Sequence, residues 1–158
     1  TDALQTYENE MSQYDKGRMY FYMGDYQKAY LALEEAKGQK GVEAYLYLGK
    51  AYEATGDYNY ASSVYNSYLS KNTGNATIYN QLGICEMQKG QYTKALDAFQ
   101  KGLATGDKTM QQSLQFNEIA AYEHMGEYKK AAVLMESYIK NYPDDEKARR
   151  EYEFLSTR

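Results

Sequence analysis

An all-α solenoid of four helix-turn-helix repeats, closed by a C-terminal capping helix, is the fold this sequence predicts. Three observations predict it. Four triplets, Gly24-Asp25-Tyr26, Gly56-Asp57-Tyr58, Gly90-Gln91-Tyr92 and Gly126-Glu127-Tyr128, recur with their glycines 32, 34 and 36 residues apart. An alanine follows each glycine at one fixed distance, at Ala29, Ala61, Ala95 and Ala131. Apolar residues on both sides of each triplet keep helical spacing, and self-similarity at this period marks one helical hairpin copied in tandem.

The elements follow in order. In the first unit Gly17 and Tyr20 lead to Gly24, and Tyr26, Ala29, Leu33 and Ala36 follow it. Leu4, Tyr7, Met11 and Tyr14 hold helical spacing upstream, so the first helix is expected to begin near residue 3. In the second unit Tyr45, Leu48 and Tyr52 mark one helical face over Val42 to Thr55. Gly56 ends that helix by taking the left-handed conformation, and the Asp57 carboxylate caps the next. Tyr58, Ala61, Val64, Tyr65 and Tyr68 form its apolar stripe, where Ala61 lets the two helices approach. The third unit repeats this with Tyr79, Leu82, Gly83, Gly90, Tyr92, Ala95 and Phe99; the fourth does so with Tyr122, Gly126, Tyr128, Ala131, Met135 and Tyr138. Pro143 stops a helix, and Asp144-Asp145 cap a last one. That helix carries Ala148, Tyr152 and Leu155 inward and Glu146, Lys147, Arg149, Arg150 and Glu153 outward, as the covered end of a solenoid does. Gly38-Gln39-Lys40-Gly41 and Ser70 to Asn75 read as inter-repeat turns.

Composition narrows the function. The chain has 158 residues, 25% of them charged, and a net charge of -4, which argues against a duplex nucleic-acid partner. No apolar run approaches the roughly 20 residues that cross a bilayer. The chain begins at Thr1 and shows no signal peptide, so a processed or trimmed chain is expected, and its mild acidity and tyrosine content suit an extracytoplasmic bacterial protein. One cysteine, Cys85, and one histidine, His124, leave no cluster for a metal and no nucleophile–base pair. No catalytic residue, metal or cofactor is therefore expected. Cys85 reads as a buried structural thiol and His124 as solvated. Twenty tyrosines imply a core with many polar tips near its edges.

The run Tyr45-Leu46-Tyr47-Leu48-Gly49…Tyr52…Gly56-Asp57-Tyr58…Ala61 resembles the tetratricopeptide repeat family, and Tyr79…Leu82-Gly83…Gly90…Ala95 is similar to it. The resemblance implies a right-handed α-α superhelix in a single domain over 1–158, with repeats at about 10–41, 42–75, 76–111 and 112–145 and a capping helix at about 145–157. Departures stand out. Lys16 replaces the first unit's leucine, Glu86 the third unit's aromatic, and Glu118-Ile119 the fourth unit's Leu-Gly pair. A glutamate on a packing face must be paired or neutralised; Glu118 is expected either to meet a tyrosine hydroxyl or to serve as a polar anchor at the groove edge.

In the family, first helices line a concave surface through positions ten, six and three residues before the repeat glycine. The resemblance thus implies a groove of Tyr14, Arg18 and Phe21, then Leu46, Lys50 and Glu53, then Asn80, Ile84 and Met87, then Phe116, Ala120 and Glu123. Apolar groups beside cations suit a peptide or helix segment of a protein partner. The carboxylate-clamp positions hold Tyr14, Arg18, Tyr47, Thr77 and Gln81, which does not support chaperone-tail binding. The expected function is a non-catalytic interaction scaffold, with homodimerising assembly through exposed apolar ends or the tyrosine-rich surface as the alternative.

Overall fold

The computed structural model describes residues 2–158, apart from the side chains at positions 2 and 4. The described residues form helices α1 (Asp2–Glu10), α2 (Gln13–Met23), α3 (Tyr26–Lys40), α4 (Val42–Ala54), α5 (Tyr58–Leu69), α6 (Ala76–Gln88), α7 (Tyr92–Ala104), α8 (Gln111–His124), α9 (Tyr128–Asn141) and α10 (Glu146–Leu155). They fall into two compact units, Thr1–Thr73 and Gly74–Arg158. Within each unit every helix from α2 onward packs against the next in antiparallel pairs, and first helices also meet: α2 with α4, and α6 with α8.

The repeat turn is one device used four times. Gly24, Gly56, Gly90 and Gly126 have φ of 78°, 81°, 73° and 76°, where a Cβ would clash with backbone. The residue after each glycine donates its N–H to a carbonyl five residues back: Asp25 to Tyr20 at 2.9 Å, Asp57 to Tyr52 at 3.0 Å, Gln91 to Glu86 at 2.9 Å and Glu127 to Tyr122 at 2.9 Å. This Schellman closure satisfies carbonyls that the helix end leaves unpaired. The following helix is capped where the residue is short. Asp25 and Asp57 accept from the N–H of Lys28 and Tyr60, whereas Gln91 and Glu127 make no side-chain cap.

Two element boundaries differ from the sequence reading. The run from Leu4 to Tyr14 is not one helix. It breaks after Glu10, and Ser12 starts α2 by accepting from the Asp15 N–H at 3.1 Å while its hydroxyl donates to the Asp15 carboxylate at 2.6 Å. The Ser-x-x-Asp spacing was the overlooked signal. Leu4's side chain lies outside the described residues. Gly38, Gln39 and Lys40 are not a turn but the last turn of α3, and Gly41 alone, at φ 58°, redirects the chain into α4. The Ser70–Asn75 segment does separate α5 from α6, and Asn75 caps α6 by accepting from the Ile78 N–H at 2.9 Å.

Packing explains the repeat's residue pairs. Ala29, Ala61, Ala95 and Ala131 are all 0% exposed at the contact inside each hairpin. A Cβ placed on Gly49 would lie 2.2 Å from the Tyr65 ring, one on Gly83 2.2 Å from the Phe99 ring, and one on Gly17 2.4 Å from Leu33. The first helix is thus stripped to hydrogen where the second inserts a large, fully buried side chain. The fourth hairpin evens out the sizes: Ile119 replaces the glycine and the pliable Met135 replaces the ring, both buried in one core cluster. That exchange accounts for the missing Leu-Gly pair.

Candidate functional site

The groove positions of the first unit lie on α2 and α4. Tyr14 is buried in the unit's core. Burial, followed by the charge of Glu43, raises its phenol's pKa. Arg18 lies half-buried with its guanidinium 5.5 Å from the centre of the Tyr14 ring and 5.6 Å from that of Tyr47. A cation over two ring faces is held by their quadrupoles, and the Tyr47 hydroxyl accepts a hydrogen bond from it. Tyr22 and Tyr47 join hydroxyls at 2.8 Å. Phe21 meets Tyr22, Tyr26 and Tyr47 edge-on, with centroids 5.4, 5.8 and 5.6 Å away. Leu46 and Lys50 are half-buried on α4, and Glu53 accepts from the Tyr65 hydroxyl at 2.5 Å. The Tyr47 phenol's pKa is lowered, first by the Tyr22 hydrogen bond and then by those of Arg18 and the charges of Arg18 and Lys50, against the opposing effect of burial.

In the second unit Asn80 is buried and accepts from the Asn117 amide at 2.8 Å. Ile84 and Phe116 are half-buried beside this pair. Together with Ser113 and Lys147 they line an open recess of about 360 Å³. Its floor is built by the Tyr138 hydroxyl, which donates to Asp145 at 2.8 Å and accepts from Gln112 at 3.1 Å. Burial raises the Tyr138 pKa. Of the predicted positions, Asn80, Ile84 and Phe116 come together here. Met87 packs instead against the core around Phe99, and Ala120 is half-buried on α8. Gln112, Ser113, Asn117 and Lys147 were missed because they sit one turn earlier on α8, or on α10, where the repeat register marks no position.

Glu123, the last predicted groove residue, hydrogen-bonds the Glu151 carboxyl of α10. Burial first, then that hydrogen bond and the Glu151 charge, push its pKa from an ordinary 4.5 to about 7. The sign follows from linkage. Below pH about 4.5 folded and unfolded chains both hold the proton; as pH rises toward 7 only the folded chain keeps it, so this group's contribution to stability declines across that window. Glu123→Gln is therefore expected to flatten the fall in melting temperature between those pH values and to exceed the parent's stability at pH 8. Parallel pH profiles for the two proteins would show that the pair does not share a proton.

Glu118 is satisfied differently from the expectation. Its partner is the Gln100 amide, donating at 3.2 Å, not a tyrosine hydroxyl; Tyr122 takes a second contact from Gln100 at 3.4 Å. Burial raises the Glu118 pKa, and the Gln100 bond opposes that. Glu86, 4% exposed, pairs with Lys89 at 3.2 Å. Cys85 is buried, and exposed His124 stacks on Tyr92 with centroids 5.1 Å apart. Among the described residues no group of three or more histidine, cysteine or acidic side chains could hold a metal ion, and no helix is long and apolar enough to cross a membrane.

Comparison with known proteins places this geometry. The tetratricopeptide repeat pattern matches residues 14–76 and 48–109 in one form and 116–145 in another. No curated protein sequence matches the chain. A crystal structure of MamA protein is 26% identical with a TM-score of 0.79, covering 90% of this chain and 78% of that one. A thermophilic TPR protein from Thermus thermophilus, TTC0263, is 19% identical with a TM-score of 0.71, covering 92% of this chain and 80% of its own; it is alike in fold alone.

Proposed function

Because this chain belongs to the tetratricopeptide repeat family, we propose that it is a non-catalytic interaction scaffold whose partner is a second copy of itself. The placement of exposed apolar groups supports this. Tyr7, Tyr22 and Met23, near the N-terminal end, are 62%, 68% and 65% exposed, and Phe154, on the last helix, is 44% exposed. Clustered apolar side chains of this size on a folded surface mark places that another protein covers. Several groove positions are by contrast already engaged: Tyr14 in the core, Phe21 among three rings, Asn80 with Asn117 and Glu123 with Glu151.

One observation favours a second reading, capture of a peptide or helix segment along Tyr14, Arg18, Phe21, Leu46, Lys50, Asn80, Ile84, Met87, Phe116 and Glu123. The recess of about 360 Å³ holds apolar Ile84 and Phe116 beside the Asn80–Asn117 amides, a mixture suited to a side chain and its main-chain groups.

Sedimentation equilibrium across a wide concentration range separates the two. Self-association is expected to raise the average mass above 18.2 kDa as concentration increases. A constant 18.2 kDa contradicts it. Under the groove reading the chain alone keeps that mass, and changing both Phe21 and Ile84 to serine abolishes capture of a peptide selected on the parent.

A further inference from the structure

We propose that copies of this chain join head to tail, with the Phe154 end of α10 seated in the recess between α1 and α2 of the next copy. This rests on the self-association reading and specifies its geometry. The acceptor is an open recess of about 560 Å³ whose apolar lining is Tyr7, Met11, Met19 and Tyr22 and whose acidic rim is Glu10 and Asp15. Arg18 also reaches it, from beneath the rings of Tyr14 and Tyr47. Methionine and tyrosine walls adapt to an inserted aromatic ring and offer sulfur–ring and edge contacts.

The donor has the complementary chemistry. Arg150, Phe154 and Arg158 are spaced four residues apart and all exposed, so an aromatic ring stands between two cations. The Arg158 guanidinium lies 4.1 Å from the centre of the Phe154 ring. Neither arginine makes an ion pair among the described residues, and neither do Glu10 and Asp15. Of the acidic residues on the same helix, Glu151 turns to Glu123, while Glu146, a turn before Arg150, and Glu153 stay exposed. A ring flanked by cations fits an apolar recess rimmed by carboxylates. The opposite charges set the orientation and suppress recess-to-recess pairing. Because the two surfaces are different, the contact is heterologous and repeats from copy to copy.

Two variants test this, each checked for unchanged helicity by circular dichroism. Tyr7→Ser disables the acceptor and leaves the donor; Phe154→Ser does the reverse. Each alone is expected to lose the concentration-dependent mass of the parent and sediment at 18.2 kDa. An equimolar mixture is expected to form a species of two chains and none larger, since one intact interface remains. A parent that associates while either variant still does, or a mixture that stays monomeric, overturns head-to-tail joining. A parent that never associates overturns the self-association reading itself. As a second pair, Arg150→Glu is expected to weaken association and Glu10→Arg on the mixed partner to restore it; absence of restoration counts against the charge match.

Discussion

Gly83→Ile is expected to destabilise the chain by roughly 1–3 kcal/mol, and adding Phe99→Met to recover much of the loss. The clash is direct: a Cβ at position 83 meets Phe99 Cε1 at 2.2 Å and Cδ1 at 2.5 Å. The ring is 0% exposed and cannot swing into solvent to make room. Its neighbours Ala76, Ala95, Leu114 and Ala121 belong to the same core cluster. The double variant copies the arrangement that the fourth hairpin already uses, Ile119 against Met135. A four-protein urea-unfolding cycle measures the coupling. Single-variant losses that simply add in the double would mean that the two positions do not compensate one another.

Phe99→Ala carries the larger expected loss, about 3–5 kcal/mol, because the ring fills the space between α6 and α7 and the groups directly facing it are too small to refill that space. Gly83 has no side chain to relax into the void, and Ala95, at 0% exposure, has only a methyl. Dry space lined by apolar atoms loses dispersion contacts without gaining water. Hydrogen exchange is the second readout. The loss of protection should concentrate in α6 and α7, whose hairpin contact the ring supplies. A shift below about 1 kcal/mol, with protection unchanged there, would mean that the ring is not the keystone of that hairpin.

Both predictions stem from a rule that was only half legible in the sequence. Gly49 and Gly83 were legible as recurring members of the Leu-Gly pair, but not the side chain that packs onto each, because Tyr65 and Phe99 come from the opposite helix. Read alone, Glu118-Ile119 looked like a break in the pattern. With Met135 in the same core cluster, it is the same position with its volume shared between two side chains of similar size. The hydrogen-bond partners of the tyrosines and acidic residues were hidden for a related reason. Tyr22 reaches Tyr47, Tyr138 reaches Asp145, and Glu118 is met by Gln100 rather than by a hydroxyl. Such partners depend on side-chain direction across neighbouring helices, which periodicity does not encode.

The candidate site divides along the same line. The family resemblance put Asn80, Ile84 and Phe116 among the groove positions, and the three are found together at the lining of one recess. It could not say that Tyr14 and Asn80 are buried or that Glu123 shares a hydrogen bond with Glu151. Nor could it show the recess between α1 and α2, which exists because Ser12 breaks what would otherwise be one helix.

By itself, then, the sequence determined the helical hairpins, their four glycine turns, the small alanine contacts and the capping helix. Each is local, resting on backbone conformation or on the 3.6-residue period. Only the tertiary structure decided which ring fills which gap, which carboxyls are held above their ordinary pKa and which apolar side chains are left in solvent. Those outcomes depend on distance and burial between helices far apart in the chain.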